Sequence, residues 1–211
     1  MSSLSRNGFD MNAAILHLQK VDPILSTIIS DSSDYRVYRK RSTFESLVRI
    51  IVGQQLSTLA ARTIFNRLKI SVNGSRITAK SLSFLDDSVF TSAGVSRMKT
   101  RTIRLLVAEI ISGRLVLGQF MKMDDESIQK ELTRIKGIGP WTVQMYLMFV
   151  LRRPDIFPDS DTGITNAIRE LYASGSRQAN IRHISDRWRP YRTVACLFLW
   201  RYIDRVGKNS S

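Results

Sequence analysis

A five-residue turn between two helical stretches constrains this chain more than any other feature. Leu132 to Ile135 close one helix, Lys136-Gly137-Ile138-Gly139-Pro140 reverse the chain, and Trp141 opens an apolar run that reaches Leu151. The glycines supply backbone angles that a Cβ resists, and Pro140 suits the first turn of a helix. These residues predict a helical hairpin at 132–152. Because the run from Trp141 is apolar almost all round, its helix is expected to be enclosed by others, as the central post of the fold. The glycines also have a chemical reading: without side chains they let a phosphate approach backbone N–H groups at a positive helix end, although many helical hairpins use glycine only to turn.

The remaining pattern is a succession of helices at about 10–20, 23–30, 43–54, 57–71, 78–84, 96–112, 124–135, 140–152, 162–173 and 190–206. Asp22-Pro23 and the capping box Ser42-Thr43-Phe44-Glu45 mark starts, while Asn73-Gly74 and Gly113 mark stops. Ile103, Leu106, Val107, Ile110 and Ile111 repeat at helical spacing and leave Arg101 and Arg104 outside. Nothing reads as a sheet, so the expected class is all-α. At 211 residues the chain can bury a good core, as one domain of two lobes or as two small domains.

Residues 152–161 hold two arginines, two prolines and three aspartates, too polar and too broken to continue the helix before them. This loop delivers Asp161 to the start of the next helix. Aspartate is a preferred N-cap, so capping alone accounts for it. A catalytic role can coexist with capping, because a helix N-terminus favours negative charge.

Charge narrows the partners. Lys and Arg number 32 against 18 Asp and Glu, a formal charge of +14, which attracts phosphate and predicts salt-sensitive binding; a solvated basic surface or anionic lipid would use the same charge. The opening MSSLSRNGFD has no apolar signal core, and the longest apolar runs are too short to span a bilayer, so a soluble intracellular protein without a membrane partner is expected. Cys196 is the only cysteine, which excludes an intrachain disulfide and a four-cysteine iron–sulfur cluster. Its neighbours Val194, Ala195, Leu197 and Phe198 predict a buried thiol. His17 and His183 stand far apart without ligand partners, which disfavours zinc-dependent base chemistry.

Hairpin, loop and two further motifs together resemble the helix-hairpin-helix superfamily of DNA glycosylases, in particular those like DNA-3-methyladenine glycosylase II. Asp155-Ile156-Phe157-Pro158-Asp159-Ser160-Asp161-Thr162-Gly163-Ile164 follows the family form D-x-F-x-x-x-D-x-G-I; Val52-Gly53-Gln54-Gln55-Leu56-Ser57 resembles its minor-groove-probing loop; and Trp188-Arg189-Pro190-Tyr191-Arg192 with Trp200 resembles its C-terminal signature. The resemblance covers roughly residues 43 to 203. It implies a two-lobed all-α fold with a cleft between the lobes, formed by the whole of residues 1–211 as one catalytic domain, with the hairpin at 132–152, the catalytic loop at 153–161, and flexible termini at 1–9 and 207–211.

The resemblance also assigns roles. Asp161 becomes the catalytic carboxylate, with Asp159 as a competitor off the family spacing. Trp141 and Trp200 match pocket tryptophans, with core packing as the alternative for both. Met145 stands where some relatives have a pocket tyrosine, with Tyr146 beside it. Gln55 occupies the position of the wedge that fills the gap left by a flipped nucleotide, and Gln54 is the alternative. Gln54, Gln55, Ser57, Lys136, Gly137, Ile138, Gly139 and Thr142 are expected to meet DNA. The carbonyls of Thr133, Ile135 and Gly137 match positions that can hold a monovalent cation, sodium or potassium; no other cofactor is required. Some relatives place a nucleophilic lysine where this chain has Trp141, which implies a monofunctional enzyme. The activity implied is release of alkylated purines such as 3-methyladenine and 7-methylguanine from duplex DNA by a monomer, leaving abasic sites for downstream repair enzymes. The alternatives are another lesion (hypoxanthine, an etheno adduct, an oxidised or deaminated base) or a non-catalytic DNA-binding module.

Overall fold

The computed structural model describes residues 9–31, 43–74, 76–173 and 179–209. Its helices are α1 (Met11–Val21), α2 (Pro23–Ser30), α3 (Thr43–Gly53), α4 (Thr58–Ile70), α5 (Ala79–Ser83), α6 (Asp87–Ala93), α7 (Arg97–Ile111), α8 (Asp125–Thr133), α9 (Pro140–Tyr146), α10 (Thr162–Leu171), α11 (Ile181–Asp186) and α12 (Arg192–Asn209). A 3-10 turn spans Leu117–Lys122 and a π turn spans Leu147–Leu151. Among the described residues there is no strand, and no helix is long and apolar enough to cross a membrane. The fold class is all-α, as the pattern indicates.

The chain divides into two units, one of Arg39–Leu151 and one of Met1–Tyr38 with Arg152–Ser211. In the first, α9 packs against α3 and α8, while α7 packs against α3, α5 and α6. The buried faces are Leu47, Val48, Ile51 and Val52 of α3 and Val143, Met145, Tyr146, Leu147 and Met148 along α9 and its π turn. Burying side chains of this size stabilises the unit by roughly 1.5–3 kcal/mol each before entropy is counted. The run from Trp141 is therefore the post that its uniform apolarity predicts. Arg104 of α7 donates to the carbonyls of Leu82 and Leu85 at the end of α5, pairs with Asp87 and lies over the Phe90 ring.

In the second unit α12 packs against α1, α2 and α10. Asp10 caps α1, and Asp22 both ends α1 and caps α2, its Oδ1 accepting from the N–H groups of Ile24 and Leu25 at 3.0 Å. Asp22 is fully buried; its Oδ2 accepts from Tyr172 Oη at 2.9 Å and Trp188 Nε1 at 2.8 Å, with Arg187 3.5 Å away. One carboxylate thus ties the amino-terminal helices to the residues before α12.

Helices α6 and α11 and the 3-10 turn are absent from the sequence expectation. With 7, 6 and 6 residues, they are too short to show a helical period. Local signals exist nonetheless: Asp86 precedes α6 and Gly94 closes it at φ +96°. The capping box read at Ser42 begins outside the described residues. Helix α12 extends to Asn209, beyond the expected end at 206.

Candidate functional site

Asp161 sits where the broken loop ends. Its backbone is extended, and its Oδ1 accepts the N–H of Ile164 at 3.0 Å, so it is the N-cap of α10. The side chain is half-buried, while Asp159 is exposed. Trp200, half-buried on α12, donates its indole N–H to the same Oδ1 at 3.4 Å. A Cβ on Gly163 would lie 3.3 Å from Oδ1 and 3.5 Å from Ile203 Cδ1. Glycine at this motif position therefore keeps room beside the carboxylate.

The loop before Asp161 is held at both faces of Asp155. Its carboxylate accepts from Arg192 Nε at 2.7 Å and Nη2 at 3.1 Å, and from Arg189 Nη1 at 2.9 Å; Arg192 Nη2 also donates to the Asp155 carbonyl at 2.8 Å. A bidentate guanidinium fixes direction as well as distance. Thr193 completes the attachment: its hydroxyl donates to Arg153 O at 2.7 Å and accepts from Ile156 N at 3.0 Å, while its own N–H donates to Pro154 O at 3.0 Å. Four backbone groups of the loop, the carbonyls of Arg153, Pro154 and Asp155 and the N–H of Ile156, are thus met by Arg192 and Thr193 at the start of α12, which fixes the chain before Asp161. Beneath it Cys196 is fully buried, and burial, reinforced by the Asp161 charge, pushes its thiol pKa up, as for a structural thiol.

The other candidate residues lie in the Arg39–Leu151 unit. Helix α3 ends at Gly53, and Gln55 follows in the left-handed region at φ 55°, with its side chain exposed. Gln54 turns inward: its amide donates to Thr142 Oγ1 at 2.8 Å and to the Gly137 carbonyl at 3.0 Å. Ser57 caps α4 through Ala60 N. At the hairpin, Lys136 and Gly137 are exposed, Ile138 is buried, and Gly139 caps α9 without a side-chain bond. Gly137 has φ +97°, and a Cβ there would fall 1.9 Å from Thr102 Oγ1. Gly139 has ordinary extended backbone and open space where a Cβ would stand. Gly137→Ala is accordingly expected to lower stability by about 2 kcal/mol, from the positive φ and the clash together, read as a fall in Tm against an unchanged Gly139→Ala.

Each unit gathers its own residues. Asp161 and Trp200 meet in one; Gln54, Gly137 and Thr142 meet in the other. Between Gln54 and Gln55, the exposed side chain is Gln55, because Gln54 is bonded internally. Thr142 is buried as its partner. Trp141 is half-buried, whereas Met145 is 5% exposed and Tyr146 fully buried, its ring edge-on to Phe120 at 6.1 Å. An all-round apolar run gives no sign of which side chains meet solvent. The sequence pattern gives no role to Asp155, Arg192, Thr193 or Lys99, and shows Asp22 only as a helix start, without its bonds to Tyr172 and Trp188. Asp155 and Arg192 lie inside the D-x-F and C-terminal motifs, which is the available signal; Thr193 and Lys99 carry none.

Residues 48–190 match the family described as HhH-GPD superfamily base excision DNA repair protein. DNA-3-methyladenine glycosylase 1 of Schizosaccharomyces pombe is 32% identical over 90% of this chain and 87% of its own length. Putative DNA-3-methyladenine glycosylase YfjP of Bacillus subtilis is 31% identical over 85% of this chain and 66% of its own. Among solved structures, the DNA-3-methyladenine glycosidase of Bacillus halodurans superimposes with a TM-score of 0.76 at 32% identity, over 92% of this chain and 91% of that one. The S. pombe 3-methyladenine DNA glycosylase in complex with abasic DNA gives 0.79 at 32% identity, over 90% and 95%.

Proposed function

Because the chain belongs to the HhH-GPD superfamily of base excision DNA repair proteins, we propose that it hydrolyses the N-glycosidic bond of alkylated purines, 3-methyladenine and 7-methylguanine, in duplex DNA and leaves an abasic site. The observation that carries this reading is the placement of Asp161: a half-buried carboxylate on the loop that follows the hairpin, oriented by Ile164 N–H and Trp200 Nε1–H.

Breaking the bond from base to C1′ builds positive charge on the sugar, as in glycoside hydrolysis. A carboxylate already fixed beside C1′ stabilises that charge without reorganising, and it can orient or deprotonate the attacking water. An alkylated purine carries positive charge itself, so it leaves readily and is attracted to an aromatic face, which Trp141 supplies. Trp200 serves Asp161 directly through its indole N–H. The nucleophilic lysine of bifunctional relatives is replaced by Trp141, so no Schiff base forms and the strand stays intact.

DNA is bound through phosphates at Lys136, Gly137 and Gly139 and probed by Gln55, while Gln54 and Thr142 brace that probe from within. The carbonyls of Thr133, Ile135 and Gly137 would hold a sodium or potassium ion. The donor set fits, since Ile135 O accepts one bond from Ile138 N, Gly137 O accepts one from Gln54, and a carbonyl has two lone pairs. Such an ion would offset repulsion between carbonyl and phosphate. Gly139→Val tests the hairpin without disturbing Gly137: binding to damaged and undamaged duplexes is expected to weaken alike, by about tenfold, for lost backbone contacts to phosphate. Unchanged binding by the folded variant counts against this role.

The deciding experiment incubates the purified protein with methylated duplex DNA, without added metal, and identifies the free bases. Release of 3-methyladenine or 7-methylguanine with the strand intact supports the reading. No release by a protein that binds the DNA refutes it and directs attention to other lesions, then to binding without catalysis.

A further inference from the structure

The last carbonyls of a helix have no helical N–H to meet and need another donor. At the end of α3 that donor is Lys99 of α7: its ammonium lies 2.9 Å from Val52 O and 2.7 Å from Gln54 O. A cation at the negative end of a helix is favourably placed. Lys99 is half-buried, and desolvation lowers its pKa. Its partners here are neutral carbonyls, and charge-assisted bonds of this kind are the stronger ones.

The second of those carbonyls is the decisive one. Gln54 O belongs to the peptide plane that leads into Gln55, a non-glycine residue at φ 55° whose side chain is exposed. The Gln54 side chain is held separately, by Thr142 Oγ1 and Gly137 O. Gln54 is therefore fixed at both its carbonyl and its amide, and little freedom remains for the direction in which Gln55 leaves the backbone. A side chain at a sparsely populated backbone angle keeps it only where the surroundings determine it.

We propose that Lys99 is a positioning residue for DNA probing: by gripping the Val52 and Gln54 carbonyls it fixes the peptide from which Gln55 projects, so that Gln55 is aimed before DNA arrives. Pre-organisation of this kind removes an ordering cost from binding. The role rests on Gln55 as the probe of the duplex.

The test uses a duplex with 2-aminopurine next to a tetrahydrofuran abasic analogue, which reports unstacking at saturating protein and requires no chemistry. Gln55→Ala and Lys99→Met are each expected to lower the unstacking signal about fivefold, and the double variant to lose no more than either alone, because the two act through one element. Lys99→Arg, which keeps charge and donors, recovers most of the signal. Circular dichroism checks folding, and Lys99→Gln replaces Lys99→Met if the latter does not fold. A folded Lys99→Met or Lys99→Gln equal to the parent overturns the proposal, as does the same fold-loss in the Gln55→Ala background. A parent that binds without unstacking the reporter overturns it too. Base release from methylated DNA by the same preparation shows separately whether the glycosylase reading stands.

Discussion

Asp161→Asn is expected to keep the fold and DNA binding while losing base release by about 10²–10³-fold, the usual scale for removing a pre-organised electrostatic contact. The substitution isolates charge from structure. Asparagine is as good an N-cap as aspartate, so its Oδ1 can still accept from Ile164 N and from Trp200 Nε1, and α10 keeps its start. What disappears is the negative charge that a cationic sugar requires. Asp161→Ala is the control, since it removes charge and cap together and should cost about 1 kcal/mol of stability in addition. Single-turnover release from methylated duplex DNA, set beside the affinity for an abasic duplex, separates the effects. Activity in Asp161→Asn comparable with the parent would defeat the catalytic assignment.

Asp22→Ala is expected to be strongly destabilising, by about 3–5 kcal/mol, because it leaves several buried donors without their acceptor. The carboxylate is fully buried and accepts from two backbone N–H groups, the Tyr172 hydroxyl and the Trp188 indole. Asp22→Asn retains an acceptor oxygen and should lose less. Urea or thermal unfolding measures both, and a Tm for Asp22→Ala within a few degrees of the parent would show that the cluster contributes little. Tyr172 adds a pH signature. Burial first, and then the Asp22 charge and hydrogen bond, push its phenol up from the usual value. A raised folded-state pKa means that the contribution is complete below the unfolded value of about 10 and is lost as pH rises above it, so stability should fall in that alkaline range.

The sequence carried the long elements because they bury a face at helical period. Helices α1, α2, α4 and α7 begin and end within a residue or so of where capping and apolar spacing put them. Helices α6 and α11 have too few residues to repeat a period, and only packing selects them. The same distinction runs through the site. Asp161 was legible twice over, as an N-cap after a broken loop and as a motif position, and both readings lead to one side chain. Trp200 was legible as an aromatic residue in a motif, but its bond to Asp161 was not, because residues 39 apart become neighbours only when α12 folds against α10.

Sequence by itself determined the all-α class, the hairpin and its glycines and the loop that ends at Asp161; these follow from properties that neighbouring residues impose on one another through backbone angle, period and capping. Tertiary structure alone decided that Gln54 turns inward and Gln55 is exposed, that a Cβ on Gly137 would collide with Thr102, that Asp155 is clasped by Arg192, and that Lys99 grips the end of α3. Each of these contacts joins residues far apart in the sequence. Such contacts depend on which faces the hydrophobic core turns toward each other, and a linear pattern fixes the faces without fixing their partners.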